Sequence, residues 1–319
     1  MTESQENSKP TDKQWQLIEK LLTRSLNEQV KTRRWNWVFR IALLAFLFFS
    51  MWSFDSNYQE VSMQRAHTAV IDIQGEIMAD SGANATDIIA ALRKAFENPH
   101  AKAVLLKINS PGGSPVQASM IYDEIMRLKK KHHKKVYSAI TDYGASGAYY
   151  IAAASDQIYA NAASIVGSIG VVSSGFGFPE VLSKIGVERR VLVSGENKVE
   201  MDPYLPLKPE EVARFKTLLA DIHQQFIADV KAGRGTRLIE QPDTFSGLFW
   251  TGSQAVKLGV IDGLASPDTV ARDVIKETHQ VDYTLKPDFL TGLTDRFGVT
   301  LGQGIVQALG LSQHALQIH

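Results

Sequence analysis

Cysteine is absent from the 319-residue sequence. That excludes a disulfide scaffold, a thiol nucleophile and a thiolate zinc site. It leaves the compartment open, since such a chain folds equally well in oxidising or reducing surroundings. Excess charge of one sign is missing too: Lys+Arg and Asp+Glu each total 34. No net field points to nucleic acid as a partner. Histidine is scarce at 8, and none falls in a His-x-x-x-His or His-Glu arrangement. His132 and His133 lie in the basic run 129–135, which reads as a solvated helix end. No metal or cofactor is therefore expected. With 44% apolar and 21% charged residues, the rest is ordinary globular material.

A clean membrane-spanning run is also lacking. Ile41 to Phe54 carries no charge but is only 14 residues long, and Arg40 stands just before it. Counted from Trp35, however, the stretch reaches 20 residues, the length a bilayer core requires. Arg40 can snorkel, and Trp35, Trp37 and Trp52 suit the two interfaces. No small-x-small cleavage site follows, so an uncleaved anchor over 35–54 is expected. Lys31, Arg33, Arg34 and Arg40 precede or open the span. The positive-inside rule puts residues 1–34 in the cytoplasm and the main domain outside. Within 1–34, Trp15, Ile18, Leu21, Leu22 and Leu26 recur at helical spacing. Residues 55–66 read as a linker, 67–290 as the main domain, and 291–319 as a glycine-containing tail with no legible element.

The main domain alternates strands and helices. Strands are expected at 68–73, 103–109, 136–140, 157–160 and 187–194. Helices are expected at 86–96, 115–131, 146–154, from 208 to about 231, 251–258 and 266–278. Ser114 is placed as an N-cap with Pro115 at the first helical position, and Gly233 and Gly235 close the long helix. The alternation implies an α/β fold with a parallel sheet.

Two loops could carry chemistry. Asn109-Ser-Pro-Gly-Gly-Ser-Pro115 joins a buried strand to a capped helix. Its glycines leave backbone N–H groups bare at a positive helix end, which suits an oxyanion. An ordinary turn would also use those glycines. The other is Asp142-Tyr-Gly-Ala-Ser146-Gly-Ala-Tyr-Tyr-Ile. Ser146 begins a helix amid Gly144, Ala145 and Gly147, small neighbours that let a peptide backbone approach. Read alone, it is an N-cap serine. A nucleophilic serine needs a base, and no histidine is suitably placed. Among lysines, Lys107 sits inside an apolar strand, where burial would favour the neutral form. Lys198 lies between Glu196 and Glu200 in a polar loop. The residues alone leave that choice open.

Several motifs in order resemble the signal peptide peptidase A family, also called protease IV, a relative of the Clp protease and crotonase folds. They are residues 107–113 (Lys-Ile-Asn-Ser-Pro-Gly-Gly), 144–152 (Gly-Ala-Ser-Gly-Ala-Tyr-Tyr-Ile-Ala), 155–160, 166–171, 194–198 (Ser-Gly-Glu-Asn-Lys) and 259–263 (Gly-Val-Ile-Asp-Gly). The resemblance implies a repeated β-β-α core with a parallel sheet behind one transmembrane helix. It implies Ser146 as nucleophile, Lys198 as general base and Ser168 as the residue holding that lysine. It puts the oxyanion on the backbone N–H groups of Gly113 and Ser146, with Gly112, Gly144, Ala145 and Gly147 against the substrate. The long family form carries two copies of the fold. This chain has one, so it resembles the short form, which assembles into a homo-oligomeric ring. The implied substrates are signal peptides or other short apolar peptides at the outer face of a bacterial inner membrane. A crotonase-like acyl-CoA enzyme and an inactive tethered scaffold are the alternatives.

Overall fold

A computed structural model describes residues 62–285 throughout and, before them, residues 33–47 with scattered positions between 12 and 31. These N-terminal residues form a unit separate from the one starting at Met63. Residues 33–47 are helical with every side chain exposed, as are the described residues between 12 and 31. Among the described residues no helix is long and apolar enough to cross a membrane. Residues 48–54 of the expected anchor and all of 291–319 lie outside the described residues.

The main unit is built on eight strands. They are β1 (His67–Gln74), β2 (Ala101–Ser110), β3 (Lys135–Ala145), β4 (Gln157–Ala160), β5 (Ile165–Gly167), β6 (Phe249–Thr251), β7 (Gly263–Leu264) and β8 (Gln280–Asp282). The order is β6-β5-β3-β2-β1-β8, with β4 and β7 branching from β3. Every pairing is parallel except β5 with β6. The fold is thus mixed α/β with a largely parallel sheet. Between β1 and the first helix, a second strand is represented by a single bridging pair, Ile77 with Gly113.

Helices α1 (Ala85–Glu97), α2 (Pro115–His132), α3 (Gly147–Ala153) and α5 (Pro209–Arg234) supply the main core, together with α6 (Gly252–Lys257), while the short α4 (Pro179–Lys184) buries no residue. Alternation decides which strand residues enter it. Val104, Leu106 and Ile108 of β2 join the helix-side core, while Leu105 meets Val270 and Ala271 on the other face. Each such buried aliphatic side chain contributes about 1.5–3 kcal/mol. Ser114 caps α2 and Pro115 follows it, as expected.

Three expectations require correction. Residues 187–194 form no strand. Strand backbone needs a hydrogen-bonding neighbour, and beyond the local bond from the Val187 N–H to Leu182 this segment, with Leu192 fully exposed, pairs with no strand among the described residues. The helix expected at 266–278 is a short turn, Pro267–Thr269, followed by a π-helical stretch, Val270–Ile275. The long helix is closed by Gly235, as expected, but runs through Gly233 to Arg234. A Cβ at Gly233 would lie 2.0 Å from the Ala153 carbonyl oxygen, so glycine lets α5 and α3 touch backbone to backbone.

Glu124 of α2 clasps α1, accepting hydrogen bonds of 2.7 Å from both Arg93 and Arg127. The Arg127 and Arg93 bonds hold its carboxyl at about 2, although burial pushes the other way. That is below its ordinary 4.5. Its stabilisation is therefore complete above pH 4.5 and drains away as pH falls toward 2. Both guanidiniums are half exposed, so we expect the effect to be on the order of 2 kcal/mol. Glu124→Gln should remove that part of the acid dependence in urea melts between pH 4.5 and 2.5. An unchanged pH profile would refute the assignment.

Candidate active site

Ser146 occupies the single residue between β3 and α3. Its backbone, at φ 53° and ψ −125°, is a conformation L-residues rarely adopt. The side chain makes no capping hydrogen bond, so the N-cap reading fails. Among the described residues the hydroxyl has no hydrogen-bond partner. The turn is fixed instead through its backbone: the Ser146 N–H donates to the Gly167 carbonyl at 2.8 Å.

That bond corrects one expectation. An N–H already spent on a carbonyl cannot also hold an oxyanion. The neighbouring amides can: those of Gly113 and Gly147 have no hydrogen-bond partner among the described residues. Both residues line a small cavity with Ser146. Gly113 is held in place by the bridge to Ile77, whose N–H donates to Gly112 and whose carbonyl accepts from Ser114, both at 2.8 Å. The loop needs its glycines. A Cβ on Gly113 would fall 2.3 Å from the Ile77 carbonyl oxygen, and one on Gly112 would fall 2.7 Å from the Ser146 Cβ.

The other expected contacts divide. Gly147 lines the cavity and Gly112 lies against Ser146. Gly144 and Ala145 do not meet it; both are buried in β3, and a Cβ on Gly144 would strike Ile140 at 2.6 Å. Ser168 follows Gly167 directly, also with positive φ, its N–H donating to Leu248 at 2.8 Å. It stands next to the residue that anchors Ser146 but does not line the cavity.

Among the described residues neither lysine lines the cavity beside Ser146. Lys107 is not buried as expected: its side chain is 37% exposed and pairs with Asp72 at 3.5 Å. It alternates with Leu106 and Ile108, so it points to the sheet face away from the helix-side core. Lys198 is exposed in a turn, its N–H donating to Gly195, and its side chain has no hydrogen bond or ion pair among the described residues. The surrounding segment exposes Phe176, Val181, Ile185, Val187 and Leu192. No histidine lines the cavity either; the His223 Nε2 sits 3.0 Å from the Ile169 carbonyl. Among the described residues no group of three His, Asp or Glu side chains could hold a metal.

The sequence reading missed the cavity walls: Pro115, Tyr150, Gly170, Val171, Val172 and Phe226. Tyr150 sits in a motif already singled out. Phe226 comes from α5 and carried no signal beyond helical periodicity.

Fold and turn together place the chain in a class, the α/β folds of Clp type. The Clp protease model matches residues 55–165, and the model of peptidase family S49 matches residues 128–282. A Synechocystis protein named "Putative protease slr0021" is 35% identical over 191 residues, 59% of this chain and 68% of that protein. Protease 4 of Haemophilus influenzae is 29% identical over 225 residues, 69% of this chain and 36% of that protein. A Brucella abortus protein named Na(+)/H(+) antiporter NhaA is 52% identical over 195 residues, 61% of this chain. The match spans only 26% of that protein's length. The chain belongs to peptidase family S49.

Proposed function

We propose that the protein hydrolyses peptide bonds with Ser146 as nucleophile and Lys198 as general base, the two coming from neighbouring copies in a homo-oligomeric ring. What carries this reading is the uncommitted Ser146 hydroxyl beside the unpaired amides of Gly113 and Gly147. No base lines the cavity, and Lys198 stands exposed on an apolar segment that a second copy could cover. Covering it would favour the neutral amine that a base requires.

In the proposed chemistry, neutral Lys198 takes the Ser146 proton as the oxygen attacks the peptide carbonyl. The oxyanion is held by the Gly113 and Gly147 N–H groups. The lysine then passes its proton to the leaving nitrogen, the C–N bond breaks, and water hydrolyses the acyl-enzyme. Ser168 is proposed to orient Lys198. Short apolar peptides, cleaved signal peptides among them, are the proposed substrates. An anchor over residues 35–54 would hold the domain at the outer face of a bacterial inner membrane.

The test is labelling by a fluorophosphonate probe. Wild-type assemblies should be labelled, with labelling lost in both Ser146→Ala and Lys198→Ala. An assembled wild-type protein that resists the probe would sink the dyad and favour a tethered scaffold.

A further inference from the structure

We infer that Phe226, seated on Tyr150, limits the residue preceding the scissile bond to small or medium uncharged side chains. This rests on the peptidase reading above and specifies its substrate. The cavity beside Ser146 is about 80 Å³. At about 10–15 Å³ of such space per water, that is room for a handful of waters, or a short aliphatic chain. Because it adjoins Ser146 and Gly113, its occupant is the side chain of the residue whose carbonyl is attacked.

Part of the cavity wall is an aromatic pair. Tyr150 and Phe226 stack with ring centroids 4.4 Å apart and planes 13° from parallel, and both are buried. Neither ring is free to swing away. The Tyr150 hydroxyl donates a short hydrogen bond to the Asp229 carboxylate, one turn after Phe226 on α5. The Tyr122 hydroxyl donates to the Asp229 carbonyl at 2.9 Å, and the Tyr122 ring lies 5.5 Å from Tyr150. Further along α5, the close approach of Gly233 to Ala153 fixes the helix against α3. A phenyl group entering the cavity would therefore meet a wall held from three sides. Charged side chains fail for another reason. No lining residue is charged, so such a group would lose its hydration without gaining a partner.

The experiment uses the full-length protein and an equimolar set of apolar peptides that differ only before the scissile bond: Ala, Val, Leu, Phe or Lys. Cleavage is followed by mass spectrometry. Wild type should favour Ala, Val and Leu over Phe and Lys by about tenfold or more. Phe226→Leu should raise Phe cleavage relative to Ala by about tenfold, while Phe226→Trp should confine cleavage to Ala. Thermal melts establish that each variant is folded, and the two variants test the wall in opposite directions. Unchanged preference in a folded variant, or wild type cleaving the Phe peptide as fast as Ala, would overturn the inference. A wild type that cleaves none of the five and resists the fluorophosphonate probe overturns the peptidase reading itself.

Discussion

Lys198→Arg should be as inactive as Ser146→Ala. A guanidinium keeps its proton at any working pH, so the substitution keeps the reach of the side chain but not the neutral nitrogen that the proposed base needs. Loss of either member of a coupled pair should lower kcat by a factor on the order of 10⁴ or more. A further result separates this from a dyad within one chain. Mixed after subunit exchange, inactive Ser146→Ala and Lys198→Ala proteins should regain activity. In a ring of randomly mixed copies, about a quarter of the sites pair an intact serine with an intact lysine from the neighbour. Strictly zero activity in a mixture shown to have exchanged subunits would exclude a dyad shared between copies. Full activity in a monomeric variant would do the same.

Arg234→Met should cost about 3–5 kcal/mol of stability. Arg234 is the largest fully buried side chain, 1% exposed, at the end of α5. It donates to Asp262 at 2.6 and 3.0 Å and to the Gly259 carbonyl at 3.0 and 2.8 Å. Burial alone would raise the Asp262 carboxyl, but hydrogen bonds from Arg234 and the Ile158 N–H outweigh it and hold it below the usual range. Removing the guanidinium leaves a half-buried carboxylate with the Ile158 N–H and Arg237, 36% exposed, as its remaining partners. Urea unfolding should show the loss. Asp262→Asn should show a comparable one, and the double variant should lose less than the sum. Additive losses would mean that the two residues act independently.

Much of the fold was legible because its signals are local. A near-continuous apolar run marks β2, and the Ser114–Pro115 cap marks α2. The strand-to-helix turn at Ser146 was visible as small residues between two elements. What was not legible depends on distant partners. A glycine inside α5 looks like a stop until Ala153 is seen against it. Residues 187–194 have strand composition but no neighbour to pair with. The Ser146 amide looked available until Gly167 was found to occupy it, and Phe226 lies 80 residues from the serine it stands beside. Lys198 is the extreme case, because no feature of one folded chain gives it a basic role.

The backbone of Ser146 has a consequence for the evolution and handling of the protein. A non-glycine residue held at φ 53° and ψ −125° stores on the order of 1–3 kcal/mol. If Ser146 is the nucleophile as proposed, it is a position where folding and catalysis pull in opposite directions. Ser146→Gly, inactive by construction, should unfold at a higher temperature than wild type, whereas Ser146→Ala, which keeps its Cβ, should not. Drift after loss of function would then favour glycine there, so glycine at this turn in a relative would mark a retired enzyme rather than a weakened fold.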